Sequence, residues 1–238
     1  GQGEALEYAV KMRHLPQSAM LNVLLAKNQV SPDMIGRVAQ KLAEFHEKAE
    51  TSPAINIFGS IETITTNTEE NFDQTIKYIG RTISEPTYRH IRDYTRKFIE
   101  DNASLFAQRV AGGKIRDCHG DLHAAHICFE DGICIYDCIE FNDRFRYGDV
   151  ASEVAFLAMD LDQYGRADLS RRFVDAHVSF SGDGELLKLL NFYKCYRAYV
   201  RGKVEGFKLN DPNISAEEKA KILAMAKRYF ELAESYIK

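Results

Sequence analysis

The sequence predicts an α+β fold that is mostly α-helical and contains one β-hairpin. Apolar residues recur at helical spacing in much of the chain, for example over residues 31–46. The period changes after residue 115, where two short apolar runs flank Asp131-Gly132, a pair that favours a tight hairpin turn. From Asp149 onward the pattern is helical again, so the hairpin is expected between two helical parts.

The first elements are predicted as a strand, a break and a helix. Residues 6–12 alternate in the manner of a half-buried strand, and Pro16 argues for a break after it. Ser31 then supplies a capping hydroxyl, with a proline at the first helical position and Asp33 in the first turn. His46 lies on the apolar face of this helix and is expected to be a packed, hydrogen-bonded core histidine.

The remaining segments are predicted as loops and helices. Residues 51–70 are rich in Thr, Ser, Asn and Gly and are predicted to form a loop. Helical patterns follow near residues 71–83 and 86–109. Loops are expected to interrupt the helical C-terminal part near residues 163–168, 181–184 and 210–215.

Composition excludes some classes of function. The 238 residues carry a net charge of −4, with 28% charged residues of mixed sign and 45% hydrophobic residues. This hydrophobic content supports a packed core, and the lack of a basic stripe argues against a nucleic-acid partner. No apolar run approaches the roughly 20 residues that span a bilayer, so the sequence predicts no membrane span and a cytoplasmic location.

The five cysteines form no CxxC pair, although four of them fall between residues 118 and 138. Zinc binding is one interpretation of this grouping. Because three of the cysteines lie in an apolar strand pattern, where buried thiols are common, core packing is the favoured interpretation.

A two-residue turn at positions 131–132 would fix the register of the hairpin. It would place Cys128 opposite Ile135 and His126 opposite Asp137. Directly opposed residues of antiparallel strands have Cβ atoms about 4.5–5.5 Å apart. His126 and Asp137 are therefore expected to be close enough to share one ligand.

Asp121 lies in the loop that feeds the same end of the hairpin, so three polar side chains are expected to converge. A carboxylate that binds Mg²⁺, beside a second carboxylate that orients a hydroxyl, suits phosphoryl transfer, because positioning and charge neutralisation supply most of that catalysis. The alternative is that Asp121 caps a turn and Asp137 ends a strand, since aspartate is common in turns. Spacing alone leaves both interpretations open.

Three ordered blocks of sequence resemble the signature of aminoglycoside phosphotransferase-like kinases. They are His119-Gly120-Asp121-Leu122-His123, then Ile135-Tyr136-Asp137 after a hairpin, then Gly148-Asp149 followed by Glu153. Upstream, residues 42–46 are similar to the helix before the family's catalytic loop, and residues 7–12 look like the strand that enters the nucleotide hinge. The segment 118–162 most resembles a bacterial branch of that superfamily.

The resemblance implies the large, C-terminal lobe of a protein-kinase-like fold. Residues 1–16 would form a hinge-like strand and linker, and residues 17–238 the catalytic lobe. The implied activity is transfer of a phosphoryl group from ATP or GTP to a hydroxyl of a small molecule, with Mg²⁺ as the metal. Sugars, aminoglycosides, amino alcohols and protein side chains all stay open as acceptors, because fold does not fix substrate.

Carried over by position, the resemblance assigns roles to single residues. Asp121 would be the catalytic carboxylate that orients or deprotonates the acceptor hydroxyl, and His119 would brace its loop. Asp137 would hold Mg²⁺ against the nucleotide phosphates. The residues implied to contact the nucleotide are Lys11, Met12 and Arg13, and those implied to support the site structurally are His123, Glu140 and Asp149.

Two departures from the family pattern matter. His126 falls where the family usually has an asparagine ligand for the second metal. Imidazole suits Zn²⁺ or Mn²⁺ better than Mg²⁺, so either the preference shifts towards Mn²⁺ or that site is lost. Nothing before the hinge-like strand matches the glycine-containing loop and lysine that hold the phosphates in kinases. Two interpretations follow: a fragment of a longer protein, whose catalysis requires an N-terminal lobe in cis, or a natural remnant without that lobe. The fragment is the favoured one.

Two other functions stay open on the residues alone. The departures also fit a pseudokinase, or a module that binds a nucleotide or another ligand without phosphoryl transfer. The histidine-rich loop offers a third interpretation, because His119, His123 and His126 beside Asp121 fit a zinc-dependent hydrolase.

Two charge patterns bear on the acceptor. Residues 137–185 contain eleven acids and five arginines, which suits a cationic acceptor such as an amino sugar. Lys194, Arg197, Arg201 and Lys208 recur at helical spacing and would frame an anionic substrate, but a solvated helix face is the favoured interpretation.

Overall fold

The computed structural model describes residues 14–237. The strand predicted at residues 6–12, and with it Lys11, Met12 and Arg13, lies outside the described residues. In the described part the chain forms, in order, α1 (Leu21–Ala26), α2 (Pro32–Lys48), α3 (Pro53–Asn56), α4 (Ile61–Thr75), α5 (Glu85–Asp101), α6 (Ala103–Ala111), β1 (Ile115–Asp117), β2 (Ile127–Cys128), β3 (Cys134–Ile135), α7 (Asp143–Arg146), β4 (Tyr147–Asp149), α8 (Val150–Gln163), α9 (Ala167–Ser181), α10 (Leu186–Lys208) and α11 (Ala216–Ser235). The predicted α+β class with a helical majority is confirmed.

Helix α8 lies at the centre of the molecule. Every residue from 150 to 161 in it is buried. It packs against α9 and α10, while α2 covers α9 and α11 covers α10. A helix that is buried on all sides must be apolar nearly all round, so the acids Glu153 and Asp160 within it each require a polar partner.

The predicted start of α2 is confirmed, because the Ser31 hydroxyl accepts the backbone N–H of Met34 at 3.3 Å. His46, near the end of the same helix, is buried and hydrogen-bonded, as predicted. The loops predicted after α8, α9 and α10 are also confirmed.

The loop predicted over residues 51–70 is wrong, because α3 and most of α4 lie there. Ser52 and Ser60 begin these helices by accepting backbone N–H groups. Inside α4 the Thr68 hydroxyl donates to the backbone carbonyl of Ile64 at 3.0 Å. Side-chain capping and such back-bonding satisfy the polar residues, so a composition typical of loops folds as helix.

The hairpin forms with a register one residue away from the predicted one. Cys128 lies opposite Cys134, not Ile135, and the connection runs from residue 129 to 133. A physical reason is that Phe129 leaves the ladder, since its backbone N–H donates to the carbonyl of Ala19 at 2.9 Å. Strand β2 is thereby held between β3 and the segment just before α1.

Strands β1 and β4 form a second antiparallel pair, in which Ile115 lies opposite Asp149 and Asp117 opposite Tyr147. This pairing brings the start of α8 beside the loop that follows β1. Among residues 14–237, no helix is both long and apolar enough to cross a membrane. Three of the cysteines, Cys118, Cys128 and Cys195, are buried in the core.

Candidate active site

A cleft of about 1220 Å³ opens beside the loop between β1 and β2. Its walls come from that loop, from the segment after β3, from α4 and from α10. Asp121 and Asp137 both line it. The loop and the hairpin therefore bring both of the candidate carboxylates to one cavity.

Gly120 sets the shape of the loop. Its φ of 83° lies in the left-handed region that favours glycine. Its N–H donates to Oε1 of Glu153 at 2.7 Å, and its carbonyl accepts from Nη1 of Arg197 at 3.1 Å. A Cβ at this position would lie 2.6 Å from the backbone oxygen of Phe145, so no side chain fits.

His119 ties the same loop to the hairpin. Its Nε2 donates to the carbonyl of Tyr136 at 2.7 Å, and its own carbonyl accepts the N–H of Ile139 at 2.9 Å. Because a carbonyl only accepts, Nε2 carries the hydrogen, and Nδ1 is left to accept the N–H of Asp121 at 3.4 Å. His119 thus contacts both the loop and the strand end that carry the two carboxylates.

Asp121 is held in its ionised form. Burial alone would raise the pKa of this carboxyl, but the hydrogen bond and charge of His123, with the charges of His126 and Arg201, lower the pKa to about 2. Oδ2 lies 3.5 Å from Nε2 of His123 and 3.7 Å from Nδ1 of His126. Its side chain is 35% exposed, so the carboxylate is open to the cleft.

The ring of His126 is oriented with one nitrogen towards Asp137. Nδ1 donates to the carbonyl of Asp121 at 2.9 Å, and Nε2 lies 3.4 Å from Oδ2 of Asp137. Burial and the neighbouring charge of His123 lower the pKa of His126, which favours the neutral ring. In that tautomer Nε2 presents a lone pair towards Asp137.

Asp137 follows β3 and adopts a φ of 63°, a left-handed conformation that aspartate tolerates better than most residues. Its side chain is 73% exposed. A carboxylate oxygen beside an imidazole nitrogen is a donor set that fits a divalent cation. The second nitrogen of the His126 ring is bonded to a carbonyl, as is usual for a metal-binding histidine. Asp137 and His126 therefore lie together despite the changed register.

His123 lies beside Asp121 and His126. Its Nε2 is 3.5 Å from Oδ2 of Asp121, and its Nδ1 lies 3.3 Å from the backbone nitrogen of Ala125. The ligand atoms of the three residues lie within 4.8 Å of one another, so they form a grouping that could hold a metal ion. The hydrolase interpretation therefore stays a prediction, although Nε2 of His126 is directed at Asp137.

Asp149 lies at the back of the cleft and is buried. It caps α8 by accepting the N–H of Ala151 at 2.8 Å, and it receives Nη2 and Nε of Arg109 at 2.7 and 3.0 Å. The same arginine also reaches Asp183 at 2.6 Å. Glu140, by contrast, is exposed and lines the cleft directly.

A buried chain of hydrogen bonds supports the loop from below. Oε2 of Glu153 pairs with Nε2 of His46 at 2.8 Å, and Nδ1 of His46 lies 3.3 Å from Nε2 of His177. Burial would raise the pKa of Glu153, but the hydrogen bond and charge of His46 lower it. The carboxylate that holds Gly120 is therefore itself held in the ionised form.

The solvated face predicted for four cations of α10 is wrong for Lys194, Arg197 and Arg201, whereas Lys208 is exposed. Lys194 is buried and donates to Asp162 at 2.8 Å, and the half-buried Arg197 and Arg201 line the cleft together with Lys203. Sequence reasoning missed Lys203. The helical spacing of Arg197, Arg201 and Lys203 showed that they share one side of α10. Spacing alone does not indicate whether that side faces a cavity or solvent.

Mycobacterial proteins are similar to this chain in sequence. No family model matches the chain. It is 33% identical over 204 residues to uncharacterized protein Rv2004c of Mycobacterium tuberculosis (strain H37Rv) and, to the same extent, to uncharacterized protein Mb2027c of Mycobacterium bovis. These matches cover 85% of this chain, which spans 41% of the length of the relatives.

A solved structure, a glucosamine kinase in complex with glucosamine, ADP and inorganic phosphate, is similar in fold. The TM-score is 0.52 at 14% sequence identity, over 86% of this chain and 53% of the other. At this identity the likeness concerns the fold alone. The chain therefore has a kinase-like fold.

Proposed function

We propose that this protein transfers a phosphoryl group from ATP or GTP to a hydroxyl of a small molecule. The observation that supports this most is the ionised Asp121 in the same cleft as Asp137, which lies against His126 Nε2. Phosphoryl transfer depends mainly on positioning and charge neutralisation, and these are the tasks that two such carboxylates perform. The kinase-like fold adds support.

In this proposal Asp121 orients the acceptor hydroxyl. The hydroxyl oxygen forms a bond to the γ-phosphorus while the bond to the β,γ-bridging oxygen breaks, and that electron pair leaves with the nucleoside diphosphate. The proton of the hydroxyl passes to Asp121. Because the pKa of Asp121 is about 2, it is a weak base, and orientation comes before proton transfer.

Asp137 would hold a divalent cation, with Nε2 of His126 as a second ligand. When bound, the cation supplies charge neutralisation at the nucleotide phosphates. His119 braces the loop that carries Asp121, and Glu153 fixes its backbone from the buried side. Lys11, Met12 and Arg13 stay part of the proposal as nucleotide contacts.

The test is nucleotide binding and ATP turnover with Mg²⁺ or Mn²⁺. It is made on the 238-residue chain and, because catalysis is expected to require an N-terminal lobe, on a longer protein that includes that lobe, with the M. tuberculosis relative assayed in parallel. Asp121→Asn is expected to retain nucleotide binding and to lower turnover by about 10²–10⁴-fold. Asp137→Asn is expected to lose metal-dependent nucleotide binding. Asp143→Asn, a neighbouring acid on α7, is the matched control and is expected to change neither.

Unchanged turnover in Asp121→Asn would contradict the proposal. Binding of a metal nucleotide by both proteins, with no turnover in the presence of a panel of sugars and amino alcohols, would favour the pseudokinase interpretation instead.

A further inference from the structure

Helix α10 presents one face to the cleft. The residues of α10 that line it lie at helical spacing: Phe192, Tyr193, Tyr196, Arg197, Val200, Arg201, Lys203 and Val204. Three of these eight are cations. Since long cationic side chains are seldom buried without an acidic partner, the partners of these three decide what the wall of the cleft can bind.

Arg197 reaches neutral acceptors in place of a carboxylate. Nε donates to the hydroxyl of Ser152 and Nη1 to the carbonyl of Gly120, both at 3.1 Å. The guanidinium lies 4.8 Å from the ring centre of Phe156. Among residues 14–237 no carboxylate forms an ion pair with Arg197, so its charge is only partly compensated. This charge lies close to Asp121, because Arg197 is bonded to the preceding residue, Gly120.

Arg201 lies one helical turn further along. Its Nε is buried without a hydrogen-bond partner in the described part of the chain. Its guanidinium lies 3.8 Å from Glu205, which is already bonded to Lys208 at 2.8 Å. Burial would lower the pKa of Arg201, but Tyr229 and the charges of Asp160 and Asp121 raise it. An unpaired buried donor of this kind costs free energy unless a ligand satisfies it.

Lys203 also lacks an acidic partner among residues 14–237. Its Nζ donates to Asn71 at 2.5 Å and to Gln74 at 2.7 Å, which are two neutral amides on α4. Burial lowers the pKa of Lys203, as expected for a cation whose surroundings do not fully compensate its charge.

The other cations of the cleft are paired. Arg144 bonds to Glu70 and Arg146 to Asp117. Of the acids in the cleft, Glu153 is bonded to His46 and Asp149 to Arg109. Asp121, Asp137 and Glu140 also line the cleft. Its acids therefore lie on the loop and after β3, whereas the cations that lack a close carboxylate lie on the α10 wall.

We propose that the acceptor carries an anionic group, a carboxylate or a phosphate, which binds to Arg201 and Lys203 while its hydroxyl lies at Asp121. This rests on the proposed function. Arg197 is bonded to the residue before Asp121 and therefore marks the position of the hydroxyl on α10. Lys203 lies six residues further along the helix, or about 9 Å along its axis. A sugar acid or a sugar phosphate has the size to place one group at each end of such a span.

Binding is measured by calorimetric titration of the 238-residue chain without nucleotide. The probes share a six-carbon skeleton and differ in charge: D-gluconate, D-glucose 6-phosphate, D-glucose and D-glucosamine. At least one of the two anions is expected to bind about tenfold or more tightly than glucose, and glucosamine is expected to bind no better than glucose. The two anions distinguish a carboxylate from a phosphate as the preferred group.

Variants locate the site. Arg201→Gln and Lys203→Gln are each expected to weaken anion binding about tenfold, and Arg201→Lys to restore part of it. Lys188→Gln is the matched control, since it removes the same charge from an exposed position on the same helix outside the cleft. Equal weakening by Lys188→Gln would indicate a general charge effect and overturn the inference.

Three further outcomes would overturn it: no binding of either anion, tighter binding of glucosamine than of both anions, or variants that weaken binding of ADP and leave anion binding unchanged. The last would assign the α10 wall to the nucleotide phosphates. Anion binding at Arg201 and Lys203 in a chain that shows no phosphoryl transfer would instead contradict the proposed function and leave an anion site.

Discussion

The buried carboxylate of Glu153 joins two distant parts of the chain, since it accepts the backbone N–H of Gly120 at 2.7 Å and pairs with His46 at 2.8 Å. One oxygen serves the loop and the other serves α2. Glu153 therefore helps to anchor the loop that presents Asp121, together with Arg197 on the carbonyl of Gly120 and Asp160 on the N–H of Ala124.

Removal of this anchor is expected to destabilise the whole protein. Glu153→Ala leaves the Gly120 N–H and His46 without their acceptor and should cost about 3–5 kcal/mol. Glu153→Gln keeps one acceptor oxygen and should cost less. Urea unfolding at neutral pH measures both. Glu217 is an exposed acid on α11 paired with Lys221, and Glu217→Ala should cost about 1 kcal/mol or less. If Glu153→Ala costs no more than Glu217→Ala, Glu153 is not an anchor.

Gly80 and Gly120 have nearly the same φ, so variants at these two positions distinguish the cost of a left-handed backbone from the cost of a steric clash. Gly80 has a φ of 82° and nothing within 4 Å of its Cβ position, whereas Gly120 has a φ of 83° and meets Phe145 O at 2.6 Å. Gly80→Ala should cost about 1–2 kcal/mol from the left-handed backbone alone. Gly120→Ala should cost about 1–3 kcal/mol more, as overpacking does. Similar unfolding free energies for the two variants would show that the loop around Gly120 shifts to accommodate a Cβ at no measurable cost.

His177 is expected to make the protein sensitive to mild acid. Burial and the adjacent His46 lower the pKa of His177 to about 3, and its Nδ1 is buried without a partner among residues 14–237. Because the folded pKa lies below the unfolded value of about 6.5, the unfolded chain binds more protons in between. Stability attributable to this group is therefore complete above about pH 6.5 and falls as the pH drops towards 3.

The expected loss is about 2 kcal/mol between pH 7 and pH 5. Urea midpoints at these two pH values measure it. His177→Gln, which stays neutral and keeps an N–H donor for His46, should lose most of this dependence. His90→Gln, at an exposed histidine of α5, should behave as the wild type does. A wild-type pH dependence in His177→Gln would assign the acid sensitivity to other groups.

The metal preference should depend on His126. An imidazole ligand favours Mn²⁺ over Mg²⁺, so the wild type should bind Mn²⁺ more tightly. His126→Asn should weaken Mn²⁺ binding by at least about tenfold, the loss typical even of changes beyond the direct ligands. Electron paramagnetic resonance of free Mn²⁺, with Mg²⁺ competition, measures this. Asp137→Asn should weaken both metals, and Asp143→Asn neither. An unchanged Mn²⁺ affinity in His126→Asn would remove His126 from the site.

The meeting of Asp121, His126 and Asp137 was predictable from sequence because it depends on a local hairpin. The register was off by one residue, since pairing of Phe129 with Ala19 involves a segment more than a hundred residues away. The side chains of His126 and Asp137 still meet because Asp137 takes a left-handed conformation just after β3. Backbone angles of this kind leave no signal in hydrophobic spacing.

Contacts between distant helices were harder to predict. The burial of His46 followed from its position on an apolar face, yet its partners Glu153 and His177 lie 107 and 131 residues away. The orientation of Lys203 depends on how α4 packs against α10, since its partners Asn71 and Gln74 lie on α4. Local patterns establish that a helix has two faces, but only tertiary packing determines what each one meets.

The atom that excludes a side chain at position 120 is a backbone oxygen, which every amino acid at position 145 would supply. No exchange of residue 145 can therefore compensate for a change at residue 120. A library that randomises both positions should return glycine at 120 whatever it selects at 145. Relief would have to come from a shift of the main chain around Phe145, so an evolutionary route away from glycine requires changes at other positions that move this segment.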